Sequence, residues 1–368
     1  MVDILLVGAG RIGVYMADKL REAGVELAVA DIDREKLKYF EDNFETRVVN
    51  VLDKDDIHRV ADDVDWVLTA LPGSIAYGGL VNILEAGKNV IDISFYPQDM
   101  WRLGEIAEKQ SVLYMPDAGV APGLSNVIAA QLDRELSGAD KIEIYVGGVS
   151  YKPDEFLGMA LTWSPMDLLE EYTRPARIIV NGEVTEVDPL EATGAINIPG
   201  AGEMEYFVSD GLRSLLKTMS HVPNMREMTL RYKGHIFLMR FLKWLGLLSY
   251  REIEVGNTYV KPIEVLSKVL ETYMENRFRD RVILYILGEK DGEKREYLLQ
   301  QPYDEEKKFS GMSIVTGSTA VAMTLLGYNG ELQSTGIYPP EYVGMDKRLC
   351  SRFMKYMDEM GIKVERIS

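Results

Sequence analysis

The chain is poor in the residues from which disulfide frameworks and metal centres are built. Its 368 residues include one cysteine, Cys350, and three histidines. One thiol cannot form an intrachain disulfide, and so few thiols and imidazoles cannot supply the ligand sets that hold structural zinc. We therefore expect no metal site.

Positive charge and long apolar runs are also lacking. The formal net charge is −17, and such a surface repels phosphate backbones. The best membrane candidate, residues 236–250, is too short to span a bilayer and is interrupted by Arg240 and Lys243. Asp3 stands where the apolar region of a signal peptide would begin. We expect a soluble, cytoplasmic protein without nucleic-acid or membrane partners.

Short apolar runs alternate with helical patterns in the first half of the chain. The runs recur about every 20 residues, and they are ILLV, VELAVA, RVVNV, WVLTAL, NVIDIS and SVLYM. The helical patterns between them include residues 34–44, 53–64 and 77–86. Strands that alternate with helices form parallel sheets covered on both faces. The pattern predicts an α/β fold of the Rossmann type, with a doubly wound parallel sheet.

The pattern changes near Ile142. The stretches IEIYVGGVSY, ARIIVNGEVTEV and AINIPGAGEMEYFV indicate strands joined by hairpins, and Asn181-Gly182 is a strong two-residue turn signal. A further hairpin is predicted around Asp291-Gly292, and helical patterns recur at residues 166–172, 211–219 and 262–277. The middle of the chain is therefore expected to be an α+β domain.

The last part of the chain opens with a small-residue-rich segment of helical spacing, residues 310–326. Such a helix packs closely against another element, and we expect the tail to return to the first domain. The predicted domains are a dinucleotide-binding Rossmann domain (1–126), an inserted α+β domain for substrate binding and dimerisation (127–309) and the returning C-terminal segment (310–368).

A glycine motif follows the first strand and opens the first helix. Gly8, Gly10 and Gly13 form G-x-G-x-x-G. The first glycine permits the tight turn, the second lets a pyrophosphate approach the backbone, and the third allows close packing of helix on strand. The N-terminus of the helix adds unpaired N–H groups and a positive dipole end. A glycine turn without a ligand is the alternative, but the strand, the helix and a following acid favour a nicotinamide dinucleotide.

That acid is Asp31, 23 residues after Gly8 at the end of the second strand. Its carboxylate would accept hydrogen bonds from ribose hydroxyls and would repel a 2′-phosphate, which predicts NAD. Arg34 leaves NADP open, because an arginine at this place can accommodate such a phosphate; its other interpretation is a solvated residue at the start of a helix. The predicted cofactor contacts are Gly8, Ala9, Gly10, Arg11, Ile12, Gly13, Asp31, Ile32, Asn50, Val51, Ala70, Leu71, Pro72, Ser94, Ala118 and Gly119.

A second constellation follows the sixth strand. Residues 117–126, DAGVAPGLSN, hold a carboxylate, two glycines and a proline before a helix. The segment could be a structural strand-to-helix connection capped near Ser125 or Asn126. Its position at the C-terminal edge of the sheet favours a place beside the nicotinamide instead.

DAGVAPGLSN resembles the segment at this place in the saccharopine dehydrogenase-like family. Further stretches agree in order along nearly the whole chain, among them YVGG (145–148), TWSPMDLLEEYTRPARIIVNGE (162–183), SDGLRSLL (209–216), TLRYKGH (229–235) and SIVTGSTA (313–320). The TWSP to IVNGE stretch and the short inserted domain are most similar to the branch that oxidises the 6-amino group of L-lysine with NAD. The resemblance implies a Rossmann domain with an inserted domain whose sheet makes a homodimer.

The resemblance also implies an amino-acid substrate, and we expect three kinds of group to serve it. Arg231 is the first choice for the substrate carboxylate, because a guanidinium binds a carboxylate through two hydrogen bonds; a surface arginine in a strand is the alternative. Asp117 is the first choice to bind the amine and Asp92 the second. The alternative is that each accepts hydrogen bonds from loop amides, as aspartates at strand ends often do. His235 would relay protons, although a lone histidine is often structural.

Four more residues complete the predicted substrate site. Tyr232 and Trp163 would form an apolar wall, although core or interface packing explains such side chains equally well. Gly148 lies in the YVGG stretch, and Arg213 is a weaker candidate for the carboxylate.

The resemblance favours oxidative deamination of the 6-amino group of L-lysine, which yields 2-aminoadipate 6-semialdehyde and ammonia. Two alternatives stay open. One is NADP-dependent reductive carbon–nitrogen coupling, of the saccharopine reductase or carboxynorspermidine dehydrogenase type. The other is a non-catalytic regulatory protein that binds a dinucleotide, because a fold alone does not establish chemistry.

Overall fold

A computed structural model describes residues 2–151, 158, 164–274 and 279–368. The chain divides into two compact units. Unit 1 comprises Met1–Gln131 and Ser313–Lys363, and unit 2 comprises Leu132–Met312 and Val364–Ser368. The domain limits drawn from the sequence, after residues 126 and 309, stay predictions.

Apolar runs build the central sheet of unit 1. Its strands are β1 (Ile4–Val7), β2 (Leu27–Asp31), β3 (Glu45–Val48), β4 (Trp66–Thr69), β5 (Asn89–Asp92), β6 (Leu113–Met115) and β17 (Gly336–Ile337). All the pairings are parallel, in the order β3-β2-β1-β4-β5-β6-β17. The ILLV run of β1 is buried throughout, as expected for a strand covered on both faces. The order of the first six strands is that of a Rossmann fold, and the predicted fold class is confirmed.

Helices connect these strands. They are α1 (Arg11–Glu22), α2 (Arg34–Leu37), α3 (Lys54–Val60), α4 (Gly73–Glu85), α5 (Met100–Lys109) and α6 (Leu124–Glu135), and the tail adds α11 (Gly311–Tyr328), α12 (Glu341–Met345) and α13 (Lys347–Glu359). Aspartates fix several of the starts. For example, the Asp53 side chain accepts the amides of Asp55 and Asp56 at the start of α3.

The predicted small-residue helix of the tail is α11, which lies in the core of unit 1. A Cβ on Gly317 would lie 2.4 Å from the Tyr15 ring, and one on Gly327 would lie 2.2 Å from the Trp66 ring. Close packing of aromatic rings therefore requires these two glycines. By length and composition α11 could also span a bilayer, but 89% of that stretch is buried inside the protein, a pattern that a core helix shares.

Unit 2 is built on a nine-stranded mixed sheet. Seven of its strands lie in the order β10-β11-β12-β7-β15-β16-β18, and β8 pairs with β12 and β9. The strands are β7 (Lys141–Ser150), β8 (Ala176–Val180), β9 (Glu183–Val187), β10 (Thr193–Ile198), β11 (Gly202–Ser209), β12 (Asn224–Arg231), β15 (Asp280–Lys290), β16 (Glu293–Pro302) and β18 (Glu365–Arg366). The hairpin turns predicted at Asn181-Gly182 and Asp291-Gly292 are confirmed.

Unit 2 also contains four helices and a separate hairpin. The helices are α7 (Pro165–Glu170), α8 (Leu215–Thr218), α9 (His235–Trp244) and α10 (Pro262–Met274), and among the described strands β13 (Ile253–Val255) pairs with β14 (Thr258–Val260) alone. The inner faces of α9 and α10 pack on one core cluster through Ile236, Met239, Ile263 and Leu270.

The structure corrects several predicted elements. Regular helix in the 34–44 stretch ends at Leu37 and turns follow, while the 211–219 stretch is helical only at 215–218. The short strand β17 went unpredicted because Gly336–Ile337 has no apolar run.

Candidate active site

The glycine motif forms a backbone cradle at the end of β1. Gly8 has φ +118°, and a Cβ on it would lie 2.4 Å from the Ala70 carbonyl oxygen. A Cβ on Gly13 would lie 2.0 Å from the Gly8 carbonyl oxygen, whereas one on Gly10 would meet open space. Fold geometry therefore requires the first and third glycines, and the second leaves room for a ligand. The N-cap of α1 is Gly10, which makes no side-chain cap hydrogen bond, and the start of a helix favours an anion, so these residues fit a dinucleotide.

Asp31 is held at the end of β2 by backbone donors. Its Oδ2 accepts the amide of Ala9 at 2.8 Å, and its Oδ1 accepts the amide of Asp33 at 2.8 Å. A second acid, Asp33, therefore lies beside it and caps α2. Arg34 and Ile32 are exposed, as are Gly10 and Arg11, while Ile12 is half-buried. The fixed carboxylate suits ribose hydroxyls, and the adjacent acid adds negative charge where a 2′-phosphate would lie.

Loops at the carboxyl edge of the sheet carry the other predicted cofactor contacts. The Ser94 hydroxyl accepts the amide of Leu71 at 3.1 Å and so ties the loop after β4 to the end of β5. Pro72 is exposed, Ala70 is half-buried and Ala9 and Ala118 are buried. The Asn50 side chain accepts the amide of Leu52.

Val51 contributes its side chain to the core of unit 1. The side chain is buried and packs on Gly79. Its predicted place beside the adenine stays a prediction.

Asp92, at the end of β5, is fully buried. Its Oδ1 accepts the Thr69 hydroxyl at 2.6 Å and the Ser94 amide at 3.0 Å. Among the described residues its Oδ2 has no hydrogen-bond partner. Burial raises the pKa of Asp92 to about 6; the Ser94 and Thr69 hydrogen bonds oppose the rise, and the charge of Asp117 adds to it. The carboxyl group can thus exchange a proton near neutral pH.

Asp117 and two tyrosines complete this acid cluster. Asp117 is buried and has φ +56°. The hydroxyls of Tyr96 and Tyr114 form a hydrogen bond with each other, and both rings are buried. Burial holds the pKa of Tyr114 well above 10, with contributions from Tyr96, Asp92 and Asp117. The two predicted acids therefore belong to one electrostatically coupled group in unit 1, and Tyr96, Tyr114 and Thr69 are members that sequence patterns missed.

The loop after Asp117 is held by a buried network. A Cβ on Gly123 would lie 2.0 Å from the Gly119 carbonyl oxygen, so the loop folds tightly on itself. Asn126 accepts the Gly123 amide at 3.1 Å and donates to Glu341 at 3.0 Å. Glu341 is fully buried at the start of α12. Sequence reasoning missed this acid, since it lies 215 residues from its partner.

Arg231 is fully buried in unit 2, so the alternative of a surface arginine is wrong. Its guanidinium donates to the Tyr172 hydroxyl at 3.1 Å, to Glu171 at 3.1 Å and to the Leu230 carbonyl at 2.9 Å. It also lies over the ring of Phe207, 5.7 Å from the centroid. The pKa of Arg231 is raised because burial is outweighed by Tyr172 and Glu171. Glu171 thus occupies the carboxylate position that the sequence assigned to a substrate.

His235 belongs to the same group, because its Nε2 lies 2.9 Å from the Tyr172 hydroxyl. Tyr172 therefore links the predicted relay histidine to the predicted carboxylate-binding arginine. Tyr172 and Glu171 were missed, although both lie in the TWSP to IVNGE stretch.

The other predicted substrate residues lie elsewhere in unit 2. Tyr232 donates to the Ser150 carbonyl at 3.1 Å, and Gly148 lies in β7 opposite Val282. Arg213 is buried with φ +50° after β11. Trp163 lies outside the described residues. The described part of the chain contains no cluster of three or more acidic, cysteine or histidine side chains that could hold a metal ion.

The fold and the glycine cradle define a dinucleotide-binding protein of the Rossmann type. Two family models cover almost the whole chain: the saccharopine dehydrogenase NADP binding domain matches residues 4–115, and the saccharopine dehydrogenase C-terminal domain matches residues 119–362. The chain belongs to the saccharopine dehydrogenase family and is an oxidoreductase of that family.

Relatives support the same assignment. A carboxyaminopropylagmatine dehydrogenase from Synechocystis is 24% identical over 98% of this chain and 96% of its own length. A saccharopine dehydrogenase [NADP(+), L-glutamate-forming] from Schizosaccharomyces pombe is 24% identical over 71% of this chain and 61% of its own. The apo saccharopine dehydrogenase (L-Glu forming) of Saccharomyces cerevisiae has the same fold, with a TM-score of 0.79 over the full length of both chains at 17% identity. These names differ from the predicted lysine-oxidising branch, which stays a prediction.

Proposed function

We propose that this oxidoreductase uses NAD to deaminate the 6-amino group of L-lysine. The overall reaction converts the ammonium group, NAD⁺ and water to an aldehyde, ammonium, NADH and one proton. The observation that carries the proposal is the buried Asp92–Asp117 pair at the carboxyl edge of a dinucleotide-binding sheet, because amine oxidation needs an acceptor for protons and negative charge to hold an ammonium group.

Asp31 supports NAD as the cofactor. Both of its oxygens accept backbone amides, so it cannot turn away from a bound ribose, and Asp33 adds a second carboxylate beside it. The family model is described as NADP binding, which makes cofactor choice the first property to measure. When bound, the nicotinamide supplies the hydride acceptor. This chain's residues hold the cofactor, bind the amine and accept protons.

We assign the amine to Asp117 and proton acceptance to Asp92, and the binding of a substrate carboxylate by Arg231 of unit 2 stays a prediction. Arg231 is paired with Glu171, so a substrate carboxylate would have to displace that side chain. Glu171 is partly exposed, whereas Arg231 is not, and the glutamate is therefore the partner able to leave. His235 would act through Tyr172, whose hydroxyl lies between the imidazole and the guanidinium.

The test is a matrix of cofactors and substrates with the purified chain. We expect NADH formation with NAD and L-lysine, and little turnover with NADP. Asp31→Ser should lower kcat/KM for NAD by about 10–100-fold and improve NADP, while the matched variant of the neighbouring acid, Asp33→Ser, should change the ratio less. A wild-type preference for NADP would overturn the cofactor assignment.

Asp117→Asn tests the chemistry separately from binding. We expect kcat/KM for lysine to fall by at least about 100-fold, while NADH binding, followed by its fluorescence, stays intact. Full turnover in Asp117→Asn would exclude the role proposed for this acid.

The second candidate function is the reductive joining of a carbonyl compound to an amine. It is favoured by the full-length match to the carboxyaminopropylagmatine dehydrogenase and by the NADP description of the family model. Oxidation of carboxyaminopropylagmatine or saccharopine without any turnover of lysine would select it. Intact binding of the dinucleotide without turnover of any of these compounds would select the non-catalytic alternative.

A further inference from the structure

Asp117 lies in a stretch of chain that needs support from outside itself. Residues 116–123, between β6 and α6, form no helix and no named strand. Asp117 has φ +56°, a left-handed conformation that costs free energy for a residue with a Cβ and persists where the surroundings fix it. We call residues 117–123 the Asp117 loop. The place of the Asp117 carboxyl group depends on what holds this loop.

The first part of the Asp117 loop is held by the parallel sheet. The Ala118 amide donates to the Asp92 carbonyl at 2.8 Å, directly after Asp117. This backbone hydrogen bond joins the loop to the end of β5, the strand beside β6. It fixes one side of Asp117, and the rest of the loop has to be held by other groups.

The last part of the loop is closed by two glycines. Gly119 and Gly123 form an isolated β-bridge, and the Leu124 amide donates to the Gly119 carbonyl at 2.9 Å. A Cβ on Gly123 would lie 2.0 Å from the Gly119 carbonyl oxygen, so the two backbones are in direct contact. A shift of Gly123 therefore moves Gly119, which is two residues from Asp117.

Asn126, in the first turn of α6, holds Gly123 through its side chain. Its Oδ1 accepts the Gly123 amide at 3.1 Å and the Ser125 hydroxyl at 3.2 Å. An asparagine amide carries an acceptor on one side and a donor on the other. The orientation that directs Oδ1 at Gly123 is therefore favoured only when an acceptor lies opposite Nδ2.

Glu341 supplies this acceptor. Its Oε2 accepts Asn126 Nδ2 at 3.0 Å, and both side chains are fully buried. The helix that begins at Glu341 is in direct contact with α6, since a Cβ on Gly344 would lie 2.2 Å from the Val127 carbonyl oxygen. Burial of a carboxyl group costs free energy unless it is hydrogen-bonded. Here the hydrogen bond goes to the side chain that holds the Asp117 loop.

We propose that Glu341 is a positioning residue for the reaction: it fixes the orientation of Asn126 and so holds the Asp117 loop and the carboxyl group that binds the amine. The role of Asp117 in this chain of contacts rests on the proposed function. Glu341 acts without touching substrate or cofactor. Because a displacement of about 1 Å can cost about 100-fold in rate, loss of the acceptor should lower turnover as well as stability.

The first test removes or keeps the acceptor. In Glu341→Ala we expect kcat/KM for the amine substrate to fall by about 10–100-fold, while the Kd for NADH, measured by fluorescence, stays within about threefold of wild type. Glu341→Gln keeps an acceptor oxygen and should lose less than about threefold. Asn126→Asp, assayed at about pH 8.5, sets two carboxylates against each other and should lose as much as Glu341→Ala.

The second test reverses the hydrogen bond. When Asn126→Asp is combined with Glu341→Gln, the glutamine amide can donate to the aspartate, whose other oxygen still accepts the Gly123 amide. We expect this double variant to recover kcat/KM to within about fivefold of wild type. Thr324→Val is the control, because the buried Thr324 hydroxyl donates to the Ala320 carbonyl inside α11, and its loss should lower stability alone. Unchanged kcat/KM in Glu341→Ala, or a double variant no better than Asn126→Asp, would overturn the proposal.

Hydrogen exchange tests the same link without any substrate. In Glu341→Ala the Gly123 and Leu124 amides should exchange at least about 10-fold faster than in wild type, and in Thr324→Val they should be unchanged. Equal exchange in Glu341→Ala and wild type would contradict the hold on the loop. If the wild type oxidises saccharopine or carboxyaminopropylagmatine in place of lysine, the proposed function falls, and the same series on that substrate decides the role of Glu341.

Discussion

The two units bury different kinds of polar group. Around Asp92, unit 1 buries carboxyl and phenol groups, and their partners are hydroxyls and backbone amides. Around Arg231, unit 2 buries a guanidinium beside a carboxylate, a phenol and an imidazole. In unit 1, one carboxylate oxygen of Asp92 has no hydrogen-bond partner among the described residues, and burial raises the pKa of Asp92 to about 6. The group around Arg231 is balanced in charge. Proton exchange is therefore available in unit 1, whereas unit 2 holds a cation that is paired with a carboxylate.

Of the changes considered, removal of the Arg231 guanidinium should alter the free energy of unfolding most. Arg231→Met leaves Glu171 next to a buried apolar site and should lower the free energy of unfolding by about 3–5 kcal/mol. Urea denaturation measures the loss. Adding Glu171→Gln should recover part of the lost stability, because a neutral amide then replaces the uncompensated carboxylate.

The exposed Arg348 provides the control, and Arg348→Met should cost less than about 0.5 kcal/mol. Equal losses at the two arginines would show that the buried pair is not what stabilises unit 2.

The charge of Asp92 can be removed without changing its size. The pKa of Asp92 is raised to about 6 by burial, so the folded state holds the proton up to a higher pH than the unfolded state. Stability from this group is present below about pH 4 and is lost as pH rises through about 6. Relative to wild type, Asp92→Asn should therefore gain about 1–3 kcal/mol between pH 4 and pH 8. Thermal unfolding across this range measures the gain, and parallel curves would refute it.

Two tyrosine hydroxyls allow a matched comparison of the groups. Tyr172→Phe removes a hydroxyl bound to a guanidinium, and Tyr114→Phe removes one bound to another phenol. Since hydrogen bonds to charged groups are stronger, we expect losses of about 2 and about 1 kcal/mol, respectively. Both variants are compared by urea denaturation at pH 7. The reverse order would show that the phenol pair matters more than the cation's partner.

Thr69 gives the smallest and most specific effect. Its hydroxyl lowers the pKa of Asp92, so Thr69→Val should move the acidic limb of the kcat/KM profile upward by less than about one pH unit. Thr319 in α11 is the control, because its hydroxyl donates to the Val315 carbonyl within its own helix. A shift of equal size in Thr319→Val would remove the link between Asp92 and catalysis.

Local pattern was enough to predict the scaffold and the ends of its strands. Gly8, Gly13 and Asp31 lie where the strand–helix alternation places them, because each is fixed by neighbours close in sequence or on adjacent strands. The DAGVAPGLSN loop was likewise located from the strand before it. Such features depend on local backbone geometry, which the residue type at a single position can indicate.

The partners that lie far apart in sequence were not predictable in this way. Glu341 accepts a hydrogen bond from Asn126, which lies 215 residues earlier in the sequence. Glu171 accepts one from Arg231, which lies on a different element. Neither acid has a pattern that separates it from an ordinary surface glutamate. Only the fold shows that these carboxylates are already committed to internal partners.

The last strand of the Rossmann sheet also has a consequence for synthesis on the ribosome. β17 pairs with β6 at residues 113 and 114, but it is encoded more than 220 residues later. At about 5–20 residues per second, the edge of β6 waits about 10–40 s for its neighbour. During that interval the nascent chain presents an unpaired strand edge, open to association with other chains. The insertion of unit 2 thus sets how long this strand edge of the nascent chain stays unpaired.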